Sequence, residues 1–290
     1  MNEFDFSPTH IATLARADAQ RALAEDLGGG DLTAALIDPA RTARARVLAR
    51  ESAVICGAPW AQAALAELDP QATLRWRVAE GARCEADEVV LEIQGRAQAL
   101  LTAERTILNF LQLLSAVATK TASYVQAVQS VSGNQASIVD TRKTLPGLRL
   151  AQKYAVRTGG GTNHRIGLFD AVLIKENHIA AAGGVTAALQ RATALAQRAK
   201  FIEIEVETLA QLDEALGAGA RMVLLDNMSL DQLRQAVQIN AGRAVLEVSG
   251  GVNMTTVRDI AATGVDRISV GALTKNVQAV DLSMRIVERL

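Results

Sequence analysis

From residue 137 onward the chain alternates short apolar runs with helix-like stretches, and that rhythm restricts the fold more than any other feature. SIVDT, DAVLIK, FIEIEVE, RMVLLD, AVLEVS and RISVG read as strands, and the stretches at about 186–199, 208–218, 229–239 and 253–263 read as helices between the later ones. Strands that alternate with helices predict βα units, hence a parallel sheet closed or nearly closed into a barrel. With 49% hydrophobic and only 3% aromatic residues, the core must be built of Ala, Leu, Val and Ile. Such a core suits helices packed on a parallel sheet, and the expected fold class is α/β.

The first part of the chain reads differently. Residues 9–27 predict a helix, with Ile11, Leu14, Leu23 and Leu27 among alanines and charges, and Gly28-Gly29-Gly30 ends it as a C-cap. Residues 43–93 mix strands with one helix at Ala58–Leu68. ARARVLAR and TLRWRV alternate as half-exposed strands do, and EVVLEI reads as another strand. Residues 103–129 predict a long helix on the stripe Ile107, Leu108, Leu111, Leu114 and Val117, with Thr102 as N-cap. Arg105 then falls in the first turn, where a cation opposes the helix dipole by ~0.3–1 kcal/mol. Two readings stay open for it: a solvated side chain at small cost, or a cation that faces an anion.

In a βα barrel the active site lies at the carboxyl ends of the strands. Here those ends are polar in succession: Arg142-Lys143 after SIVD, Lys175 after DAVLI, Glu203, Glu205 and Glu207 on FIEIEVE, Asp226-Asn227 after RMVLL, Ser249-Gly250-Gly251 after AVLEV and Gly271 after RISV. The period of two in FIEIEVE puts Ile202, Ile204 and Val206 on one face and the three glutamates on the other. In a barrel the glutamates must point toward the axis, where buried carboxylates need partners such as Lys175, Arg142 and Lys143. An edge strand with solvated glutamates is the alternative.

The segment 140–165 holds Arg142, Lys143, Arg149, Lys153, Arg157 and Arg165 with His164, against a single acid, Asp140. Arg149, Lys153 and Arg157, at i, i+4 and i+8, fit one solvated helix face. Arg142, Lys143, His164 and Arg165 flank loop residues instead, which suggests a small anionic ligand. Ser249-Gly250-Gly251 and Gly271-Ala272, with Lys275 beyond, suit a phosphate cradle, because small residues let backbone N–H groups reach phosphate oxygens. A sugar phosphate carrying a diphosphate meets these needs, with carboxylates for ribose hydroxyls and Mg²⁺. The surplus cations Arg142, His164, Arg165 and Lys175 ask for a second anionic substrate.

The balance of 30 Lys+Arg against 31 Asp+Glu argues against general binding to nucleic acid or a membrane surface. Cys56 and Cys84 lack the spacing of a zinc site and read as small core residues. The N-terminus lacks a signal pattern and the apolar run 106–119 is too short to span a bilayer, so a cytoplasmic protein is expected.

At these residues the chain closely resembles the quinolinate phosphoribosyltransferase family of NAD biosynthesis. The matching blocks are DTRKTLPGLR, KYAVRTGGGTNHRIGLFDAVLIKENHI, EIEVET, LLDN, EVSGG and ISVGALTK, with fainter matches at EDLGGGDLT and ERTILNFL. The resemblance implies an N-terminal α/β sandwich over 1–115, an open α/β (TIM-like) barrel over 116–275, and a tail, 276–290, that returns to the first domain. It implies transfer of phosphoribosyl to quinolinate with decarboxylation, giving nicotinate mononucleotide, with Mg²⁺ and no organic cofactor. It further implies a homodimer in which Arg105 reaches the neighbouring site, while Arg142, His164, Arg165 and Lys175 hold the quinolinate carboxylates. Lys143, Glu205, Asp226, Ser249, Gly250, Gly251, Gly271 and Lys275 fall on the phosphoribosyl pyrophosphate side, with Glu205 and Asp226 toward the metal. Three rivals remain: a Schiff-base aldolase using Lys175, a related phosphoribosyltransferase with another acceptor, and a non-catalytic sensor of phosphate ligands.

Overall fold

The computed structural model describes residues 5–289. The elements run α1 (Pro8–Leu27), β1 (Thr42–Ala49), β2 (Ala53–Val54), α2 (Ala58–Leu68), β3 (Thr73–Trp76), β4 (Arg83–Cys84), β5 (Val89–Arg96) and α3 (Ala97–Gln129). There follow β6 (Ser137–Val139), α4 (Arg149–Thr158), β7 (Val172–Ile174), α5 (Glu176–Ala182), α6 (Val185–Thr193), β8 (Ile202–Val206), α7 (Leu209–Gly217) and β9 (Met222–Asp226). The last are α8 (Leu230–Asn240), β10 (Val245–Ser249), α9 (Val257–Ala261), β11 (Arg267–Ser269), α10 (Ala272–Lys275) and β12 (Leu282–Arg289). They divide into two compact units, one of residues up to 120 with 146–159 and those from 276, the other of 121–145 with 160–275.

The first unit is built on an antiparallel sheet of order β12-β1-β5-β3. Along β1 the parity is clean: Ala43, Ala45, Val47 and Ala49 are buried, and Arg44 and Arg46 face solvent. The buried side packs with Leu91 and Ile93 of β5 and with Leu100, Ala103, Ile107, Leu108 and Leu111 of α3. The helix expected at 9–27 forms as α1, starts on Pro8 behind the N-cap Ser7, and stops where Gly28 takes φ 49° and its N–H reaches the Ala24 carbonyl. Cys56 and Cys84 are both free and buried.

Two expectations fail here. Helix α3 begins at Ala97, not after Thr102, because β5 passes into it directly and the Ala97 N–H is taken by the Arg41 carbonyl at 2.8 Å. Thr102 is no cap; its hydroxyl donates to Asp31 Oδ2 at 2.9 Å. Arg105 lies about two turns inside the helix, and the first-turn dipole penalty does not apply to it. The solvated basic face of α4 also fails at its centre: Arg157 is exposed, but Lys153 is completely buried between Gln152 and Ala155, which are buried too.

The second unit carries a six-stranded, wholly parallel sheet of order β6-β11-β10-β9-β8-β7. Strands β7 to β11 are laid down side by side in chain order, and β6 pairs with the last of them. This is the order of a barrel left open between its first two strands, where the chain makes the long excursion between β6 and β7. Strand β8 has a parallel neighbour on each side, which removes the edge-strand alternative for its glutamates.

Candidate active site

The carboxyl ends of the six strands carry the polar residues singled out from the sequence. On β8 the alternation holds: Ile204 and Val206 are buried on one side, while Glu203, fully buried, and Glu205 share the other. Glu207 lies past the strand end and is exposed, so it does not join them. Lys175, which precedes α5, donates from Nζ to Glu205 Oε2 at 2.7 Å. Asp226 ends β9, paired in register with Ser249 of β10. Burial raises its carboxyl above the ordinary value, against the pull of Lys175 and Lys143, and Asn227 Nδ2 donates to its Oδ2 at 2.7 Å.

One glycine of the cradle stands where a side chain could not. Gly250 has φ 94°, and a Cβ there would lie 2.1 Å from Asn227 Oδ1. A Cβ on Gly271 would lie 3.1 Å from Lys143 Cδ, so the Lys143 side chain crosses the Gly271 backbone closely. The Lys143 carbonyl in turn accepts from the Thr274 hydroxyl at 2.8 Å. Lys143, Lys175, Glu205, Asp226, Ser249, Gly250, Gly251 and Gly271 therefore lie in the one unit, at the strand ends. Lys275 is exposed at the end of α10. Arg105 belongs to the other unit and is exposed on α3.

Arg142 and Arg165 make the second feature. Arg165 is 9% exposed and donates from Nη1 to the Ala171 carbonyl at 3.3 Å. Burial, and then the charge of Arg142, make its guanidinium less ready to hold its proton. Arg142 Nε is buried without a hydrogen-bond partner among the described residues. Two guanidinium groups that repel each other, one with an unused buried N–H, fit an anion between them.

The sequence reading assigned no role to Asp140, Asn163, Glu247, Arg267 or Ser269. Asp140, completely buried, accepts the His164 N–H at 2.8 Å and Asn163 Nδ2 at 2.7 Å, which holds the loop that carries His164 and Arg165. Glu247 of β10 is also completely buried, its Oε2 lying 2.8 Å from Arg267 Nε, and its Oε1 accepts from the Ser269 hydroxyl. The signal for Glu247 was present: it has the inward parity on β10, between Leu246 and Val248. His164 Nε2 lies 2.7 Å from Glu203 Oε2 and 3.5 Å from Glu247 Oε1. One ring thus reaches both β8 and β10, which are not neighbours, so the sheet must curl around it.

Among the described residues no helix is long and apolar enough to cross a membrane. The family model for the quinolinate phosphoribosyl transferase C-terminal domain matches residues 117–285, and that for the N-terminal domain matches 31–115. The nicotinate-nucleotide pyrophosphorylase (carboxylating) of Mycobacterium leprae is 45% identical over 93% of this chain and 96% of its own. The quinolinate phosphoribosyltransferase (decarboxylating) 1 of Nicotiana glauca is 38% identical over 96% of this chain and 84% of its own. The solved structure of the nicotinate-nucleotide pyrophosphorylase from Francisella tularensis superposes with a TM-score of 0.92 at 42% identity, covering 99% of this chain and 100% of that one. The two domain models, the strand order and the polar strand ends agree: this chain belongs to the quinolinate phosphoribosyl transferase family.

Proposed function

We propose that this chain transfers the phosphoribosyl group of phosphoribosyl pyrophosphate to quinolinate and releases pyrophosphate, CO₂ and nicotinate mononucleotide. The observation that carries the reading is the pair Arg142 and Arg165, with the unpartnered buried Nε of Arg142, beside a cradle of Ser249, Gly250, Gly251 and Gly271. One anion is a dicarboxylate, the other a polyphosphate. Arg142, Arg165 and Lys175 take the carboxylates, with His164 in the same wall. Lys143 and Lys275 serve the phosphates. Arg105 serves the site of a partner subunit in a homodimer.

The pyridine nitrogen attacks the anomeric carbon as the bond to pyrophosphate breaks. Glu205 and Asp226 orient the ribose hydroxyls and offset the positive charge that develops on the sugar. Their hard oxygen donors also fit Mg²⁺, and Asp226, whose carboxyl burial disfavours as an anion, would gain from a cation. Mg²⁺ would neutralise the diphosphate that leaves. Once the ring nitrogen is quaternary, the bond from C2 to its carboxylate breaks, CO₂ departs, and the electron pair stays on C2 beside the nitrogen until a proton joins it. Most of the acceleration comes from orientation and fixed charge.

The test is turnover with quinolinate, phosphoribosyl pyrophosphate and Mg²⁺, following nicotinate mononucleotide and CO₂ together, with nicotinate as the alternative acceptor. Both products from quinolinate and little from nicotinate are expected. Folded protein that yields neither product sinks the assignment of quinolinate.

A further inference from the structure

We propose that His164 is a neutral positioning residue, locked by Glu203 and Glu247, and supplies no positive charge to the acceptor pocket. The inference rests on the reading above only for the identity of the acceptor. The Arg165 backbone N–H donates to His164 Nδ1 at 2.8 Å. A backbone amide can only donate, so Nδ1 offers its lone pair and the ring proton sits on Nε2. Nε2 in turn faces Glu203 Oε2 at 2.7 Å. Both ring nitrogens are used inside the protein, and the His164 side chain is only 7% exposed. An imidazolium would set a second ring N–H against the Arg165 N–H. The Phe201 ring stands edge-on to the imidazole, with centroids 5.3 Å apart, and closes another side.

The lock continues behind the ring. Glu247 approaches Nε2 at 3.5 Å, the Ser269 hydroxyl donates to its Oε1, and the Arg267 guanidinium pairs in charge with its Oε2 at 2.8 Å. The ligand atoms of His164, Glu203 and Glu247 lie within 4.8 Å of one another, a set that would suit a divalent cation. His164 Nε2 and the Ser269 hydroxyl already donate to Glu203 Oε2 and Glu247 Oε1, and the Arg267 guanidinium supplies the positive charge beside Glu247 instead. Asp140 meanwhile fixes the His164 main-chain N–H. Residue 164 is pinned at its backbone and at both ring nitrogens, and the pinning reaches the pocket through Arg165, its chain neighbour and its hydrogen-bond donor. The role of the triad is to aim the Arg165 guanidinium at the acceptor carboxylate.

The decisive measurement is ¹⁵N NMR of the full-length protein labelled at its 3 histidines, read free and then saturated with quinolinate, which cannot react without phosphoribosyl pyrophosphate. The expected spectrum shows His164 with one protonated and one unprotonated nitrogen in both states at neutral pH. Two protonated nitrogens in the quinolinate-bound state overturn the proposal. Kinetics give an independent arm. His164→Ala should raise the KM for quinolinate by about tenfold or more, the loss of a charge-assisted hydrogen bond. His164→Gln, whose amide N–H can meet Glu203, should recover most of that loss, and His164→Lys, which keeps a positive charge, should recover none. Recovery by lysine and not by glutamine overturns the proposal as well. Wild-type turnover of quinolinate, run alongside, separates the two readings: its absence sinks the acceptor, while the tautomer in the free protein still decides the role of His164.

Discussion

Replacing Gly250 with alanine should uncouple the phosphate cradle from Asp226, and the size of the effect follows from the local geometry. The new Cβ would lie 2.1 Å from Asn227 Oδ1, 2.7 Å from its Cγ and 3.0 Å from its backbone N. Rotating the Asn227 side chain relieves the first two contacts but breaks its 2.7 Å hydrogen bond to Asp226. That bond is exposed, so its loss costs about 1 kcal/mol. Holding alanine at φ 94° adds about 1–2 kcal/mol, for a total of about 2–3 kcal/mol. At about 2–4 °C per kcal/mol for a chain of this order of size, the melting temperature should fall by roughly 4–12 °C. Gly251→Ala is the internal control, because Gly251 also has positive φ, 61°, but nothing lies within 4 Å of its Cβ position. It should lose only about 1 kcal/mol. In steady-state assays Gly250→Ala should raise the KM for phosphoribosyl pyrophosphate and leave that for quinolinate in place, since Arg142 and Arg165 are untouched. Equal destabilisation of the two alanine variants, or an equal rise in both Michaelis constants, would refute the link through Asn227.

Three further outcomes are expected. Burial, then the charge of Glu203, raise the Glu247 carboxyl to about 7 from 4.5. The folded state therefore binds this proton more tightly than the unfolded chain does, and the stability it contributes is full below about pH 4.5 and lost as pH rises through about 7, by about 3 kcal/mol. Urea titrations at pH 5 and pH 8 should show Glu247→Gln gaining on the wild type as pH rises; a constant difference would sink the argument. Glu80 accepts the Gly57 and Ala58 N–H groups at 2.9 Å and the Tyr154 hydroxyl at 3.0 Å. Glu80→Ala should thus lower the free energy of unfolding by about 2–3 kcal/mol, read by urea denaturation, because the start of α2 loses its cap and Tyr154 its acceptor. Chelation should stop phosphoribosyl transfer and added Mg²⁺ should restore it, with the melting temperature of the free protein unmoved, because Glu205 and Asp226 already have Lys175 and Asn227 as partners. Full turnover in excess chelator would remove Mg²⁺ from the mechanism.

Much of the site could be read because strand parity is a local property. In FIEIEVE the alternation assigns Glu203 and Glu205 to the interior before any contact is known, and the structure puts both there. The same argument applied to AVLEVS points at Glu247, and to RIS at Arg267 and Ser269, but the apolar neighbours drew attention to the strand ends. Glu207 went the other way, because parity says nothing about where a strand stops. The start of α3 was misplaced by the attraction of Thr102 as a cap. The hydrogen bond that mattered was the one from Ala97 to the Arg41 carbonyl, and it joins residues 56 positions apart.

Local sequence determined the periodicities, and through them the βα order and the inward glutamates. These depend on residues within a turn or a strand of one another, and the family motif adds only residues that stand close together in the chain. Tertiary structure alone decided how charge is distributed among the polar residues. It made Lys153 a buried side chain, left the buried Nε of Arg142 without a hydrogen-bond partner among the described residues, and turned His164 from a presumed cation into a ring with both nitrogens engaged. The protonation state of a buried group is set by the donors and acceptors that folding brings to it from distant strands, and no window of sequence contains them.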